Sequence, residues 1–208
     1  MRTYDDPCGV ARALDHVGER WALLIVRELL LGPKRFTDLR AGLPGASQNV
    51  LSQRLRELEE SGVLRRRKLP PPAASRVYEL TERGSELEPV VLALAQWGSR
   101  MPLTSTGPLS VDALLYALKT TFDPGAADGF EGSVELRLGE ESILATVSAG
   151  QLTFARDGAG GDAVLRADAE TIRSVVFAGR NLEESEVEGD WQVAERFVTL
   201  FPRPPTNL

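Results

Sequence analysis

Cysteine and histidine are nearly absent from this sequence, which holds one of each among its 208 residues. A single cysteine cannot form a disulfide within the chain. Cys8 and His16 together cannot supply the four ligands of a structural zinc site. Because His16 lies in a predicted helix with no catalytic partner, we expect it to be structural. We therefore predict a protein that uses no metal and no cofactor.

Catalytic motifs are missing as well. The sequence contains no G-x-S-x-G elbow and no phosphate-binding loop. Gly158, Gly160 and Ala163 match the G-x-G-x-x-A spacing of a dinucleotide site, but a strand rather than a helix is predicted to follow them. We interpret the stretch DGAGGD as a hairpin turn, and we predict that the protein is not an enzyme.

Long hydrophobic runs are also lacking. The apolar stretches near residues 22–26 and 90–95 are far shorter than the roughly 20 residues that a membrane span needs. The N-terminal segment MRTYDDPCGV is acidic and has no apolar core of the kind found in a signal peptide. We expect a cytoplasmic, soluble protein without a membrane partner.

Charge is abundant but unevenly distributed along the chain. Residues 1–102 carry 16 Lys and Arg against 13 Asp and Glu, whereas residues 103–208 carry 8 against 17. Two halves of opposite sign indicate two functions, and only the first half suits a polyanionic partner. We predict domains at 1–101 and 109–208, joined by a linker at 102–108 with the sequence PLTSTGP.

The first hundred residues show a regular alternation of helical periodicity and turn residues. Three predicted helices precede a tight turn at 42–46, after which a polar-capped helix ends at Gly62. A basic hairpin and one further helix, opened by Thr81, complete the order of a winged helix-turn-helix domain. The predicted helices span 7–17, 19–31, 36–41, 47–61 and 81–101, and the predicted strands span 63–69 and 76–80.

The helix that follows the tight turn has the features of a DNA recognition helix. Leu51, Leu55 and Leu58 recur at i, i+4 and i+7 and should face the core. A major groove admits one helix, on which Asn and Gln suit adenine and Arg suits guanine. The alternative is an ordinary polar face exposed to solvent. The predicted N-cap and base-reading residues are Ser47, Gln48, Asn49, Ser52, Gln53 and Arg56.

Four consecutive cations follow this helix. Strand alternation places Arg65 and Arg67 on one face and Arg66 and Lys68 on the other. Such a concentration of positive charge suits phosphate contacts, and the alternative is an edge strand whose charge prevents aggregation. The predicted phosphate-contacting residues are Arg65, Arg66, Arg67, Lys68 and Arg76, with Lys34 and Arg35 as weaker candidates beside the start of a short helix.

These residues resemble the HxlR-type winged-helix regulators, which are relatives of the MarR group. The motifs Gly-x-x-Trp (18–21), Arg-Phe-x-x-Leu (35–39) and Leu-x-x-Arg-Leu-x-x-Leu-x-x-x-Gly (51–62) occur in that order after Cys8. The resemblance covers about residues 7–101. It implies a transcription regulator that binds DNA as a homodimer.

The resemblance also implies how the protein assembles and what it senses. Dimerisation in such proteins runs through the first helix and the helix after the wing, here about 7–17 and 82–100. A dimer would present two recognition helices to half-sites about one helical turn apart. Cys8 matches a cysteine with which some members sense electrophiles or oxidants, and the alternative is a small buried apolar residue.

The C-terminal half predicts an α+β domain with a small antiparallel sheet. Ser110 caps an amphipathic helix, and four short strands separated by turn residues follow. We predict that these strands form an antiparallel meander, followed by helices that Asp168 and Asp190 cap. The predicted strands span 133–138, 142–148, 151–156 and 163–167, with an edge strand at 186–188.

This half resembles the sterol-carrier-protein-like domains. The resemblance is carried by the predicted meander and by the stretch DAETIRSVVFAGRNLEESEVEGDWQVAERFVTLF, and it covers about residues 109–201. It implies an apolar tunnel for lipid-like molecules, whereas the alternative is that the aromatic side chains only fill a core. The predicted pocket-lining residues are Phe122, Phe130, Phe154, Phe177, Trp191 and Phe197.

We therefore predict an α+β protein with an N-terminal winged helix-turn-helix and a C-terminal sterol-carrier-like domain. Its predicted partners are double-stranded DNA, a second copy of itself and a small apolar ligand. Its predicted function is sequence-specific regulation of transcription, by repression. Two alternatives remain open: a carrier of lipophilic molecules with a vestigial winged helix, and an adaptor whose winged helix binds another protein.

Overall fold

The computed structural model describes residues 3–70, 75–102 and 107–202. Contacts divide the chain into two units, Met1–Ala93 and Leu94–Leu208. The predicted hairpin tip and the predicted linker lie partly outside the described residues. An α+β architecture is confirmed, with helices and a hairpin in the first unit and a larger sheet in the second.

The first unit has the winged helix-turn-helix order predicted from the sequence. Its strands β1 and β2 pair in antiparallel fashion and form the hairpin called the wing below. Residue 34 adds a short bridge to β2 at Tyr78. The elements are α1 (Gly9–Val17), α2 (Ala22–Leu29), α3 (Phe36–Gly42), α4 (Gln48–Glu60), β1 (Leu64–Lys68), β2 (Arg76–Leu80), α5 (Glu82–Ser85) and α6 (Glu88–Gly98). The boundary between the two units falls within α6, after Ala93.

Two of the differences from the predicted helix bounds have a clear backbone cause. The second helix begins at Ala22 rather than at residue 19, because Trp21 has a φ of 78° and so cannot continue a right-handed helix. The helix predicted to run without interruption from Thr81 is split into α5 and α6. Pro89 explains the split, because it has no N–H to donate to the carbonyl of Ser85 and its ring clashes there.

Leucines of α4 form the centre of the first core. Leu51, Leu55 and Leu58 are fully buried, as their helical spacing predicts. Ser47 caps the helix by accepting a hydrogen bond from the backbone N–H of Val50 at 3.3 Å. Gly62, with a φ of 71°, follows its last turn. Burying one stripe of this helix leaves the opposite stripe available to solvent.

The second unit is a five-stranded sheet with helices before, within and after it. Ser110, Asp168 and Asp190 cap the helices that follow them, as predicted. The strands lie in the order β5-β4-β3-β6-β7. The elements are α7 (Val111–Thr121), β3 (Gly132–Leu138), β4 (Glu141–Ser148), β5 (Gln151–Arg156), β6 (Ala163–Ala167), α8 (Ala169–Ala178), β7 (Val187–Gly189) and α9 (Trp191–Val198).

The predicted four-stranded antiparallel meander is wrong in its last strand. Strands β3, β4 and β5 do form a meander, but β6 pairs in parallel with β3 on the far side of the sheet. The stretch DGAGGD is therefore a crossing segment and not a hairpin turn. A Cβ on Gly158 would lie 2.5 Å from Leu144 Cβ, and one on Gly161 would lie 2.7 Å from Glu135 N. Glycine is needed because the backbone passes directly over β4 and β3.

An ion pair joins α7 to the edge strand β5 in the second unit. Arg156 of β5 lies 2.5 Å from Asp112, a residue of α7 whose side chain is fully buried. Helix α7 was predicted to be amphipathic, but Asp112, Ala113 and Tyr116 are buried together with its leucines. The charged pair is satisfied internally, which removes the cost of an unpaired buried carboxylate.

The described helices are short. None of them is both long and apolar enough to pass through a lipid bilayer.

Candidate nucleic-acid interface

Helix α4 is positioned by the turn that precedes it. Gly45 lies in this turn, and a Cβ there would approach Trp21 Cη2 to 2.8 Å. The guanidinium of Arg20 lies 5.3 Å from the centre of the Trp21 ring, on its face. Trp21 of the Gly-x-x-Trp motif therefore packs against the turn that precedes α4. This contact explains the motif as part of the scaffold that orients the helix.

The exposed stripe of α4 carries the polar residues predicted to read bases. Asn49, Gln53 and Arg56 are exposed, and Ser52 is partly buried. Gln53 donates a hydrogen bond to Glu57 at 2.9 Å, and Gln48 accepts one from Arg40 at 3.4 Å. Within the described parts of the chain, no hydrogen bond or ion pair engages the side chains of Asn49, Ser52 and Arg56. These three can bind a partner without breaking an internal contact.

Three cations at the base of the wing are already paired with carboxylates. Arg65 Nε lies 2.8 Å from Glu79 Oε1, and Arg67 Nε lies 2.7 Å from Glu79 Oε2. Burial opposes ionisation of Glu79, but hydrogen bonds and charge from the two arginines outweigh it and lower the pKa of this carboxyl. Arg66 points to the other face, where it lies 2.9 Å from Glu59 and over the ring of Tyr78.

The outer end of the wing has a different electrostatic character. Lys68 and Arg76 are directly opposite each other across the two strands, and both are exposed. Among the residues that the structure describes, neither is engaged in an ion pair or a side-chain hydrogen bond. Two adjacent cations without a carboxylate form a positive site that suits a phosphate.

The two weaker phosphate candidates differ from each other. Arg35 is exposed, and its backbone N–H donates to Asp38 at 3.0 Å at the start of α3. Lys34 Nζ lies 3.1 Å from the fully buried carboxylate of Glu28, and the lysine side chain is only 12% exposed. A phosphate contact by Lys34 would require its ammonium to leave Glu28. That contact therefore stays a prediction which the pairing disfavours.

Sequence reasoning missed three residues of this surface. Arg40, at the end of α3, extends the polar surface through its bond to Gln48. Glu59 and Glu79 neutralise part of the wing. The strand register pairs Glu79 with Arg65, so a register assignment from the hairpin could have identified this contact. The position of Glu59 beside Arg66 depends on tertiary packing.

The proposed sensing residue lies outside this surface. Cys8 is exposed at the N-terminal end of α1 in the single chain, so its alternative interpretation as a small buried residue would require a partner copy to cover it. Its backbone N–H donates to Asp6 at 2.8 Å. Exposure makes the thiol accessible to a reagent, but reactivity also depends on its ionisation.

The six aromatic residues proposed for a ligand pocket are distributed through the second unit. Phe197 is fully buried and packs edge-on against Phe201, with ring centres 5.1 Å apart. The ring centre of Phe122 lies 6.1 Å from that of Phe201. Trp191 is 37% exposed. The partly buried residues are Phe122, Phe130, Phe154 and Phe177.

Comparison with known proteins places the first unit among bacterial regulators. A sequence profile described as HxlR-like helix-turn-helix matches residues 16–104. The chain is 40% identical over 88 residues to the uncharacterized HTH-type transcriptional regulator YvaP of Bacillus subtilis, which covers 42% of this chain and 82% of that protein. It is 36% identical over 88 residues to the HTH-type transcriptional regulator YodB of the same organism, with 42% and 79% covered.

A solved structure is similar over the same region. The redox regulator HypR in its oxidized form is 34% identical, spans 47% of this chain and all of its own length, and superimposes with a TM-score of 0.44. The relatives are transcriptional regulators, which confirms the prediction that this chain is not an enzyme.

Proposed function

The chain belongs to the HxlR-like helix-turn-helix family, and from this premise we propose that it regulates transcription by binding specific DNA sequences. The observation that carries the proposal is the exposed stripe of α4, where Asn49, Ser52 and Arg56 have no internal partner in the described chain. This stripe lies at the start and middle of a capped helix of 13 residues. An α-helix of this kind fits a DNA major groove.

Each part of the surface has a distinct role in the proposal. Asn49 offers an amide that can pair with adenine, and Arg56 offers a guanidinium that can pair with guanine. Lys68 and Arg76 contact phosphates and fix the orientation of the domain on the duplex. Gln48 and Gln53 join the base contacts after exchanging their internal hydrogen bonds.

The proposal includes a homodimer. Helix α6 exposes Val90, Leu94 and Trp97 at 51%, 49% and 61%, and α1 exposes Val10 and Leu14 at 67% and 40%. Apolar side chains this exposed favour association, because burying them removes apolar area from water. Two copies related by a two-fold axis would present two α4 helices to a partly palindromic site. Occupation of such a site near a promoter would repress it.

The second unit is proposed to control this binding. We propose domains at 1–101 and 109–208 with a linker at 102–108, and a sterol-carrier-like role for the second domain. The resemblance of this half to sterol-carrier-like domains motivates an apolar site for a small lipophilic effector, with Phe130, Phe154 and Phe177 among its candidate lining residues. A coupling of about 1–3 kcal/mol would change DNA affinity roughly 5- to 150-fold. Cys8 offers a second route of control through its exposed thiol.

The decisive experiment selects genomic fragments on the purified full chain at physiological salt and sequences the bound fraction. A partly palindromic motif enriched by the natural chain, and lost with Arg56→Ala, is the expected result. Binding that occurs only at low salt and enriches no motif would contradict sequence-specific regulation. That outcome would instead favour a lipophile-binding role for the second unit.

A further inference from the structure

One carboxylate on the wing faces two arginines. Strand pairing places Glu79 directly opposite Arg65, and Arg67 approaches the same carboxylate from two residues further along β1. The two Nε–Oε distances, 2.8 and 2.7 Å, are those of charge-assisted hydrogen bonds. Each carboxylate oxygen of Glu79 therefore accepts a hydrogen bond from one arginine. The cluster of Arg65, Arg67 and Glu79 is called the wing clamp below.

The wing clamp leaves its arginines near the surface. Arg65 and Arg67 are 65% and 44% exposed, whereas Glu79 is only 13% exposed. A duplex that approaches this face meets two guanidinium groups whose combined charge is reduced by the carboxylate between them. A cluster with a net charge of one cation attracts a polyanion less strongly than two free cations do.

Sequence-independent DNA binding depends on how many cationic side chains are free to neutralise phosphates. Each phosphate that a protein neutralises releases counterions from the duplex, and the salt dependence of affinity measures how many are released. We propose that Glu79 restrains sequence-independent DNA binding by the wing, because it holds Arg65 and Arg67 in an ion pair that phosphates have to displace. This inference rests on the proposed function, since it assigns a specificity role within the same DNA-binding surface.

The other cations of the wing support this division of roles. Lys68 and Arg76, at the outer end, have no carboxylate partner among the described residues and remain available to anchor a complex. Arg66 is held on the opposite face by Glu59 and by the ring of Tyr78. Restraining Arg65 and Arg67 lowers affinity for every sequence, so discrimination then depends more on the side chains that reach bases.

The test compares Glu79→Gln with Glu82→Gln in the full chain. Both substitutions remove one negative charge, but Glu82 is an exposed residue of α5 that, in the described part of the chain, makes no ion pair or side-chain hydrogen bond with the wing arginines. Affinity for a random-sequence duplex is measured over a range of salt concentrations. Glu79→Gln is expected to bind more tightly and to steepen the slope of log affinity against log salt by about one to two units. Equal slopes for the two variants, or weaker binding by Glu79→Gln, would overturn the proposal.

A triple variant tests whether Arg65 and Arg67 cause the tighter DNA binding that is expected of Glu79→Gln. Adding Arg65→Gln and Arg67→Gln to the Glu79→Gln chain should abolish the gain, because the freed guanidinium groups are then gone. A gain that persists would place the effect elsewhere and overturn the proposal. Thermal unfolding of each variant confirms that the compared chains are folded.

Elution from heparin separates this inference from the proposed function. Heparin presents sulfates without base sequence, so Glu79→Gln should elute at higher salt than Glu82→Gln whether or not the natural chain recognises an operator. If heparin elution shifts but no duplex is bound, the proposed function fails while the wing clamp is supported. If the natural chain binds an operator and the two variants elute together, the wing clamp alone is refuted.

Discussion

The polar side chains of α4 differ in whether they already take part in a hydrogen bond within the described chain. Asn49, Ser52 and Arg56 do not. Gln48 and Gln53 take part in hydrogen bonds with Arg40 and Glu57. A group that is already bonded must exchange one contact for another when it binds DNA, so its net contribution is small. The residues whose side chains have no partner in the described chain are therefore expected to contribute most to sequence preference.

Arg56 provides the first test at this scale. Arg56→Ala should cost about 1–3 kcal/mol of binding free energy on the preferred site and relax the preference at one base pair, if the guanidinium contacts a guanine. Arg56→Lys keeps the charge but cannot form the two parallel hydrogen bonds, so it should also lose the preference. Affinities are measured on the selected site and on single-base variants of it. An equal loss on all of these sequences would show that Arg56 contacts a phosphate instead.

Glu135 provides a second test, in the other unit. This residue is 3% exposed, and its carboxylate accepts hydrogen bonds from Arg137 at 2.7 Å, Ser142 at 3.0 Å and the Gly160 N–H at 3.3 Å. The bond from Arg137 is the main cause that lowers the pKa of Glu135 below its ordinary 4.5, although burial opposes it.

A lowered carboxylate pKa stabilises the fold above the unfolded-state value, and this contribution is lost as pH falls through the folded-state value. The free energy of unfolding should therefore decrease as the pH drops below 4.5. Glu135→Gln should make that decrease shallower, because glutamine does not titrate. Glu140→Gln, at an exposed position of the same hairpin, is the control. Denaturant unfolding over this pH range supplies the measurement, and identical slopes for both variants would contradict the assignment.

Among the elements, the crossing segment at 157–162 has the greatest effect on topology. It connects the edge strand β5 to β6, which pairs with β3, so it has to pass over β4 and β3. Ser142 Oγ lies 3.0 Å from the carbonyl oxygen of Gly158 and holds the segment against the sheet. The glycines and the underlying strands therefore form one packed layer.

Gly161→Ala tests this close approach. Its Cβ would lie 2.7 Å from Glu135 N and 2.8 Å from the carbonyl oxygen of Ala163, and backbone atoms cannot rotate away. We expect a loss of stability of about 1–3 kcal/mol or more, as for other overpacked sites. Gly9→Ala is the matched control, since its Cβ would meet nothing within 4 Å. Thermal unfolding of the two variants gives the comparison, and an unchanged midpoint for Gly161→Ala would show that the segment lies further from the sheet.

At the scale of the whole molecule, charge and apolar exposure indicate two kinds of partner. Residues 1–102 carry an excess of cations and residues 103–208 an excess of acids, so a duplex attracts the first half and repels the second. Exposed apolar residues on α6 indicate a different contact, one that excludes water. Both features fit a dimer that binds DNA through its N-terminal halves.

Leu94→Asp tests the proposed dimer. Leu94 is 49% exposed, so an aspartate there can stay hydrated in a monomer but would be desolvated in an apolar interface. We expect the variant to be a folded monomer by light scattering and to bind a palindromic site much more weakly than the natural chain. Leu24→Asp, at a position of α2 that is 39% exposed, should remain dimeric. A dimeric Leu94→Asp would exclude α6 as the interface.

Apart from the break between α5 and α6, the order and type of the elements could be predicted from the sequence, as could the N-caps at Ser47, Ser110, Asp168 and Asp190 and the buried stripe of α4. These features depend on interactions between residues close together in the chain, so periodicity and capping chemistry predict them.

Three features could not be predicted from local patterns: β6 lies parallel to β3, Lys34 is paired with Glu28, and Glu59 is paired with Arg66. In each case the partners are brought together by strand order and packing rather than by a local pattern. Several geometries satisfy the same alternation of apolar and polar residues, and the packing of the whole unit selects one of them.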